Sequence, residues 1–304
     1  MAAHPPSRPF ELFLLALLAL FWGSSYLFIK VALETIPPVT LIAFRVSFAA
    51  LLLYGVARWQ GHRLPGDPGT WMQFGVQCFF LCIGGWVLLA WGQQFIDSGL
   101  AGILNSTSPI FVFFITLLWT RHESVSGLRL IGALTGLAGV ILIIGADALR
   151  GLGTQVTGQT AVLASAVLYG ASAIYGKRFA HLPPTITAAG TLIVAAVILV
   201  PASFVIDRPW SLQPSLTSMS AAAALSVISS CLALLLYFRL IRTLGSMGTA
   251  SEAYLRVGVS VLLGAIILGE TIGWTVIVGL MAVVAGVVAI NARSASSEQK
   301  AGQH

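Results

Sequence analysis

The chain has 304 residues, of which 57% are hydrophobic and only 9% are charged, against about 25% charged residues in a typical soluble domain. This composition excludes a water-soluble globule and indicates a protein whose solvent is the lipid bilayer. The formal net charge is +6, but the Lys and Arg residues are scattered between apolar runs and form no basic tract. We therefore expect no nucleic-acid partner.

Ten apolar stretches follow one another along the chain, and each is long enough to cross a hydrocarbon core, which needs about 20 residues. They lie at about 11–33, 38–58, 70–95, 98–119, 127–146, 158–178, 185–206, 216–240, 247–268 and 272–291. Their continuous apolar character favours helices, since the strands of an outer-membrane barrel alternate apolar and polar residues. The first stretch is too long for the apolar core of a signal peptide and lacks a cleavage signature. The predicted fold class is an all-α integral membrane protein with ten transmembrane helices.

The loop charges predict the orientation of these helices in a bacterial inner membrane. With the N-terminus in the cytoplasm, the outside loops hold only two basic residues, Arg150 and Arg208. The inside segments hold eleven: Arg8, Arg58, Arg63, Arg121, Arg129, Lys177, Arg178, Arg239, Arg242, Arg293 and Lys300. Because positive residues accumulate on the cytoplasmic side, we expect both termini there.

An internal repeat appears when the chain is shifted by 147 residues. This shift aligns Gly23 with Gly170, Ser25 with Ser172 and Lys30 with Lys177, and it also aligns the pairs Glu123/Glu270, Gly132/Gly279 and Ala138-Gly139-Val140/Ala285-Gly286-Val287. It predicts two five-helix repeats, at 11–146 and 158–291, followed by a cytoplasmic tail at 292–304. An odd number of helices per repeat inverts the second copy in the membrane, an architecture found in alternating-access transporters.

The sequence offers little for metal, redox or histidine chemistry. Cys78, Cys82 and Cys231 lie within apolar runs, without the paired spacing of a zinc site or a disulfide framework. All five histidines fall in tails or loops, and no cofactor motif is present. We expect no cofactor, no metal site and no histidine proton relay.

Charged residues within a span are costly, so they are functional candidates. Glu252 and Arg256 lie four residues apart on the ninth helix, where their side chains can reach each other. Three roles stay open: Glu252 exchanges a proton, Arg256 binds a substrate carboxylate, or the two form a buried structural pair. For Arg45 in the second helix, a structural or snorkelling role is favoured over a place in the cavity.

Polar residues in the third and fourth helices are further candidates for a central cavity. In the fourth helix, Asn105-Ser106-Thr107-Ser108-Pro109 interrupts an apolar run, and Pro109 must free a backbone carbonyl. We expect Asn105, Ser108 and Pro109 to face a cavity that satisfies this backbone. The alternative is that the hydroxyls bond back to their own helix. In the third helix, Trp86 and Gln93 continue a stripe that begins at Cys78 and Cys82, and Trp86 is either a cavity residue or an interfacial anchor.

Small residues follow an aromatic residue at equivalent places in the first and sixth helices. Trp22-Gly23-Ser24-Ser25 corresponds to Tyr169-Gly170-Ala171-Ser172 at the 147-residue shift. Small residues let helices approach closely, so one interpretation is packing. The other is a substrate path, which adds Trp22, Ser25, Tyr169 and Ser172 to the cavity candidates.

Several of these segments together resemble the EamA family of the drug/metabolite transporter superfamily, over essentially the whole chain. The similar segments are Phe21-Trp22-Gly23-Ser24-Ser25, Phe44-Arg45, Pro109 fourteen residues before Glu123, and Leu268-Gly269-Glu270 before a Gly-rich last helix. The resemblance implies ten helices in two inverted repeats, a central cavity and export of small metabolites. It also implies structural roles at helix starts for Glu123 and Glu270. One departure is Arg256, which stands where the first repeat has Pro109.

The predicted function is export of small metabolites, such as amino acids or related compounds, by alternating access, with Glu252 coupling transport to protons. Efflux of cationic drugs is the alternative, although Arg256 beside Glu252 disfavours a cationic substrate. An intramembrane enzyme is a further alternative, but the chain lacks HExxH, GxSxG and a spaced Asp pair. The expected partners are a small-molecule substrate and the bilayer, and both a monomer and a homodimer are compatible with the sequence.

Overall fold

The structure, a computed structural model, describes residues 8–120, 127–149, 153–237, 239–240 and 252–292. All regular elements in these ranges are helical, which confirms the all-α prediction. Within the described ranges, six helices are long and apolar enough to cross a membrane, and three further apolar segments of 10–17 residues lie within α5, α9 and α10 as defined below. Glu123, most of the predicted tail and the loop residues Arg121, Arg150 and Arg242 lie outside the described residues.

The helices fall close to the predicted stretches. They are α1 Arg8–Ala32, α2 Pro38–Trp59, α3 Pro68–Gly92, α4 in two pieces Ser98–Asn105 and Ser108–Thr120, α5 Gly127–Leu149, α6 Gly153–Gly176, α7 Pro184–Ile206, α8 Leu216–Tyr237, α9 Glu252–Ile267 and α10 Trp274–Ala292. The length of each apolar run sets these bounds, because backbone groups in lipid must find partners within the helix.

Residues that suit the first turn of a helix mark several helix starts. Pro38 and Pro184 occupy the first turns of α2 and α7. Because backbone N–H groups in the first turn have no partner within the helix, a proline there costs no hydrogen bond. Asp67 accepts a hydrogen bond from the Thr70 N–H at the start of α3, at 2.7 Å. Hydrogen bonds from Thr70 lower the pKa of Asp67.

The break in α4 is closed by its own hydroxyls. The side chains of Ser106, Thr107 and Ser108 donate to the carbonyls three residues earlier, at 2.6, 2.6 and 2.7 Å. The carbonyl of Asn105, which the ring of Pro109 deprives of a helical partner, accepts the bond from Ser108. The Asn105 carbonyl that Pro109 frees is therefore satisfied within the helix and needs no contact with the cavity. This is the alternative in which the hydroxyls bond back to their own helix.

Two segments of wider helix were not predicted. The backbone is π-helical at Phe79–Trp86 in α3 and at Leu225–Leu232 in α8. These segments occupy equivalent places in the two halves, since adding 147 to the first segment gives 226–233. π-Helical segments inside α-helices are frequent at functional sites.

The helices pack in a pattern that repeats every five helices. Two packed pairs, α2 with α7 and α5 with α10, each join a helix to its own counterpart. The contacts of α1 with α8 and α9 correspond to those of α6 with α3 and α4, and those of α3 with α7 to those of α8 with α2. Helices n and n+5 therefore hold equivalent positions in the bundle.

Glycine permits the close approach of α5 and α10. A side-chain carbon at Gly139 would lie 2.7 Å from the carbonyl oxygen of Gly279, closer than any ordinary contact. Because small residues allow helix backbones to meet in lipid, this pair packs tightly at one side of the bundle. The other eight helices surround a central cavity.

Candidate functional site

A cavity of about 470 Å³ lies inside the bundle, within the size range of small-molecule sites. Its described lining residues come from α1, α2, α3, α4, α6, α7, α8 and α9, and none of them comes from α5 or α10. At one end the lining reaches Gly176, the last residue of α6, and Thr187 in the first turn of α7. The cavity therefore extends to this end of the bundle, which we call the Lys177 end.

The opposite end, which we call the Lys30 end, is held together by hydrogen bonds between loops and helix termini. Lys30 of α1 donates to the carbonyls of Gln93 and Ile96 after α3, at 3.0 and 2.7 Å. The Glu270 carboxylate accepts from the backbone N–H groups of Ser98 and Gly99, at 2.6 and 2.9 Å. It thus caps the start of α4, so the expected structural role at a helix start holds, although α4 is not the helix that follows it in sequence.

Two further contacts join α7 and α8 to α1 and α2 at the Lys30 end. Asp207 after α7 accepts from both the N–H and the hydroxyl of Thr40 in α2, at 2.7 and 2.9 Å. Ser218 in α8 donates to the carbonyl of Val31 at 3.0 Å. With the contacts of Lys30 and Glu270, these bonds connect both halves of the chain across one end of the cavity.

Equivalent residues from both halves meet in the cavity. Trp22 and Tyr169 line it, and so do Ser25 and Ser172, each pair being related by the 147-residue shift. Gly23 and Gly170 make this possible: a side-chain carbon at Gly23 would lie 2.6 Å from Val259 of α9, and one at Gly170 would lie 3.3 Å from the Val112 nitrogen of α4. The motif in α1 and α6 therefore serves both of its interpretations, helix packing and cavity lining.

Arg45 lines the cavity although a structural role was favoured from the sequence. The residue is only 5% exposed. Its Nε donates to the hydroxyl of Ser230 at 2.9 Å, and its guanidinium carbon lies 3.8 Å from the ring centroid of Trp86. Trp86 thus belongs to the cavity, where its ring supports a cation.

Arg256 also lines the cavity, close to Glu252 and Trp22. Its Nε lies 3.7 Å from Glu252 Oε1, and its guanidinium carbon lies 5.9 Å from the ring centroid of Trp22. Glu252 is 4% exposed and is not among the residues that line the cavity. The two residues form a close ion pair in which, within the described part of the chain, neither of these atoms makes a hydrogen bond.

Two buried amides add hydrogen-bonding capacity to the lining. Asn105 accepts from the Tyr26 hydroxyl at 3.0 Å, and Gln77 donates to the Ser172 hydroxyl at 2.9 Å. Among the described residues, the Asn105 Nδ2 donor and the Gln77 Oε1 acceptor have no partner. Because buried polar atoms are normally satisfied, these two are available to water or to a bound molecule.

Three of the residues predicted for the cavity lie elsewhere. Gln93 is fully buried, and its amide donates to the Tyr26 carbonyl at 3.0 Å, so it joins α1 to the end of α3. Ser108 and Pro109 are not among the lining residues, because the hydroxyl of Ser108 is used to close the break in α4. Local polarity alone did not distinguish a residue that packs from one that lines a cavity.

Other lining residues were not among the candidates from the sequence. Thr187 and Thr191 of α7 and Ser229 and Tyr237 of α8 all line the cavity. Each is a polar or amphipathic residue in an apolar helix, and such isolated residues are common at helix interfaces. The π-helical segment of α8 contains Ser229 and Ser230, and no sequence signal predicted it. No group of three or more metal-ligating side chains occurs in the described ranges.

Comparison with known proteins places this architecture among transporters. The model of the EamA-like transporter family matches the chain at residues 9–145 and 156–292, which confirms the resemblance noted from the motifs. The inner membrane transporter YedA of Escherichia coli strain K12, itself uncharacterized, is 28% identical over 261 residues, covering 84% of this chain and 83% of YedA. PagO of Salmonella typhimurium is 28% identical over 233 residues and covers 75% of each chain.

The similarity extends to more distant proteins and to a solved structure. The uncharacterized transporter YvbV of Bacillus subtilis is 26% identical over 289 residues, covering 95% of this chain and 93% of YvbV. One crystal structure superposes with a TM-score of 0.65 at 19% identity, over 93% of this chain and 98% of that chain. At this identity the structural match supports the fold alone.

Proposed function

Because this chain belongs to the EamA-like transporter family, we propose that it is an inner-membrane carrier that exports small metabolites, such as amino acids or related compounds, by alternating access. The single observation that carries the proposal is the cavity between the two halves, closed by hydrogen bonds at the Lys30 end and extending to the Lys177 end. A carrier needs a binding space that opens to one side at a time.

In this proposal the predicted repeats, 11–146 and 158–291, move against each other around the cavity. The distribution of Lys and Arg supports a cytoplasmic location for the Lys177 end, and in this proposal the arrangement described above loads substrate from inside the cell. Release to the outside requires the bonds of Lys30, Glu270 and Asp207 to break. These bonds are few and lie at helix ends, where small rigid-body movements can separate them.

We further propose that Glu252 couples export to protons. It is buried and lies 3.7 Å from Arg256, which lines the cavity, so a change in the charge of Glu252 alters the field at the binding space. A purely structural pair would show no such link between pH and transport.

The lining argues against the two alternatives named from the sequence. Among the described residues the only charged groups that line the cavity are two arginines, which repel a cationic drug. The described lining also contains no His, Cys or carboxylate that could activate a hydroxyl for hydrolysis or acyl transfer. A carrier of anionic or zwitterionic metabolites fits these residues best.

Counterflow in proteoliposomes tests the proposal. Vesicles are preloaded with single amino acids, organic acids or quaternary amines, and uptake of the labelled compound is followed with and without an imposed pH gradient. We expect exchange of a zwitterion or an anion, accelerated by the gradient in the wild type and in the control Glu34→Gln, an exposed acid outside the cavity. Glu252→Gln should retain exchange and lose the response to the gradient.

Two results would contradict this function. Exchange of quaternary amines alone would favour cation efflux. A gradient response that survives in Glu252→Gln would remove this residue from proton coupling and leave it as the partner of Arg256.

A further inference from the structure

Among the described residues, Arg45 is a buried cation without an acidic partner. The chain has ten acidic residues, Glu11, Glu34, Asp67, Asp97, Glu123, Asp147, Asp207, Glu252, Glu270 and Glu298. In the described part of the chain, Arg45 makes no salt bridge and only one hydrogen bond, from Nε to Ser230. Four of the five N–H groups of a guanidinium are therefore not used by the protein there. Leaving a buried charge uncompensated is costly, and residues of this kind mark substrate sites in membrane proteins.

The contacts of Arg45 fix its guanidinium and leave one edge free to bind a ligand. The indole of Trp86 lies 3.8 Å from its guanidinium carbon, and the bond to Ser230 fixes the orientation of Nε. A guanidinium held against an aromatic ring on one face still has its edge free, and that edge matches the two oxygens of a carboxylate. A lysine could not reproduce this planar contact.

Arg256 differs from Arg45 because it already has a carboxylate beside it. Glu252 lies 3.7 Å from Arg256 Nε, so the pair is close to neutral when both are ionised. The net charge that the described protein groups present to the cavity is then +1, and it is contributed by Arg45. A substrate with one negative charge neutralises it, whereas a zwitterion leaves the excess unchanged and a cation increases it.

The rest of the described lining suits an apolar, flat molecular body and contains no carboxylate to pair with an ammonium group. Trp22, Tyr26, Trp86, Tyr169 and Tyr237 all line the cavity. In the described lining, the buried acceptor without a partner is the Gln77 amide oxygen. Glu252 is not among the residues that line the cavity. Free ammonium groups need several acceptors or a carboxylate when they leave water.

From these observations we infer that Arg45 binds the carboxylate of the substrate, and that the preferred substrate is an aromatic or apolar organic acid with a net charge of −1, lacking a charged amino group. This inference rests on the proposed function and narrows its substrate class. It moves the carboxylate-binding role from Arg256, considered from the sequence, to Arg45.

Binding to the purified full-length protein in detergent tests the inference, using four indole compounds with similar bodies. They are indole-3-propionate, tryptophan, indole-3-propionamide and tryptamine, which are an anion, a zwitterion, a neutral molecule and a cation at pH 7. We expect the propionate to bind about tenfold more tightly than tryptophan or the amide, since a charge-assisted contact of this kind is worth about one tenfold step in affinity. Tryptamine should bind weakest.

Variants of Arg45 separate a binding role from a structural one. Arg45→Gln should weaken binding of the propionate about tenfold and leave binding of the amide within about twofold, while Arg45→Lys should give an intermediate loss for the propionate. Arg178→Gln is the matched control, because Arg178 also lies over an aromatic ring, 5.0 Å from the centroid of Tyr175, but is exposed and outside the cavity. It should bind all four compounds as the wild type does.

Several outcomes would overturn the inference. They are equal losses for the propionate and the amide in Arg45→Gln, tightest binding of tryptophan or tryptamine by the wild type, or propionate binding in Arg45→Lys equal to that of the wild type. If Arg45→Gln does not fold, the relative affinities of the four ligands for the wild type still test the preference for an anion. If the propionate binds through Arg45 but no compound exchanges in proteoliposomes, the proposed transport function fails and the binding site stands.

Discussion

The two halves of the chain differ most in the charged groups that they bring to the cavity. Equivalent positions in α1 and α6 hold similar residues, such as Gly23 and Gly170, whereas Arg45 of α2 stands opposite Leu192 of α7, and Arg256 of α9 opposite Pro109 of α4. The shared residues are those that let helices pack in lipid. The differing residues give a bundle with repeated packing an asymmetric electrostatic interior. Comparing equivalent positions therefore separates residues that pack the helices from residues that bind.

The largest effect is expected at the glycines of the α1 and α6 motif, where the two halves are similar but not equally crowded. Gly23→Ala would place a carbon 2.6 Å from Val259 Cγ1 and 3.0 Å from the Arg256 carbonyl oxygen, so it should lower stability by about 1–3 kcal/mol. Gly170→Ala meets its neighbours at 3.3–3.4 Å, and the gain of about 1 kcal/mol in helix propensity offsets that crowding. Thermal unfolding in detergent should give a clearly lower midpoint for Gly23→Ala, and equal midpoints would contradict the difference in packing.

The two lysines related by the repeat should differ next. Lys30 donates to two carbonyls after α3, whereas Lys177 is exposed. Lys30→Met should lower the free energy of unfolding by about 1–2 kcal/mol, because two charge-assisted hydrogen bonds are lost from a partly buried site. Lys177→Met should change it by less than about 0.5 kcal/mol. Chemical denaturation in detergent measures both, and a loss in Lys177→Met as large as that in Lys30→Met would show that the Lys30 bonds add little stability.

A smaller difference is expected between the two cavity serines. The Ser172 hydroxyl accepts from Gln77, while the Ser25 hydroxyl donates to the Trp22 carbonyl of its own helix. Ser172→Ala leaves the Gln77 amide without its partner and should cost about 1 kcal/mol, whereas Ser25→Ala should cost only a few tenths of a kcal/mol. Unfolding midpoints of the two variants, measured side by side, check the order, and a larger loss in Ser25→Ala would be inconsistent with it.

The smallest effect concerns the starts of α3 and α8, where one half uses a carboxylate and the other a hydroxyl. Asp67 accepts from the Thr70 N–H, and Ser215 accepts from the Ser218 N–H at 3.1 Å. Because hydrogen bonds from Thr70 lower the pKa of Asp67, its contribution to stability is present above the unfolded pKa and is lost as the pH falls through the folded pKa. The contribution of Ser215 should not depend on pH.

Asp67→Ser provides the test of that difference. This variant should unfold at nearly the wild-type temperature at low pH and slightly below it at neutral pH, because the hydroxyl replaces only the uncharged part of the cap. Ser215→Ala should lower the unfolding temperature by the same amount at both pH values. A Ser215→Ala effect that changes with pH as strongly as that of Asp67→Ser would remove the contrast between the two caps.

Much of the site was predictable from the residue types and their spacing. Trp22, Ser25, Trp86, Tyr169, Ser172 and Arg256 were expected at the cavity and line it, because polar and amphipathic groups in a span need a place away from lipid. Gln93 and Ser108 are also polar groups that avoid lipid, but they do so without lining the cavity. Each bonds to a nearby carbonyl, and a pattern of spacing does not show which of these solutions a side chain uses.

The amino-acid sequence alone predicted the all-helical fold, the order of the helices and their membrane environment. These follow from the length of apolar runs, which is a local property of the chain. That Arg45 lines the cavity with no acid beside it in the described ranges, while Arg256 lies beside Glu252, became visible only in the folded arrangement. The energy of a charge in a membrane depends on the groups around it. Arg45 contacts Trp86 of the next helix and Ser230 of the other half of the chain, and the spacing of residues along one helix does not reveal such contacts.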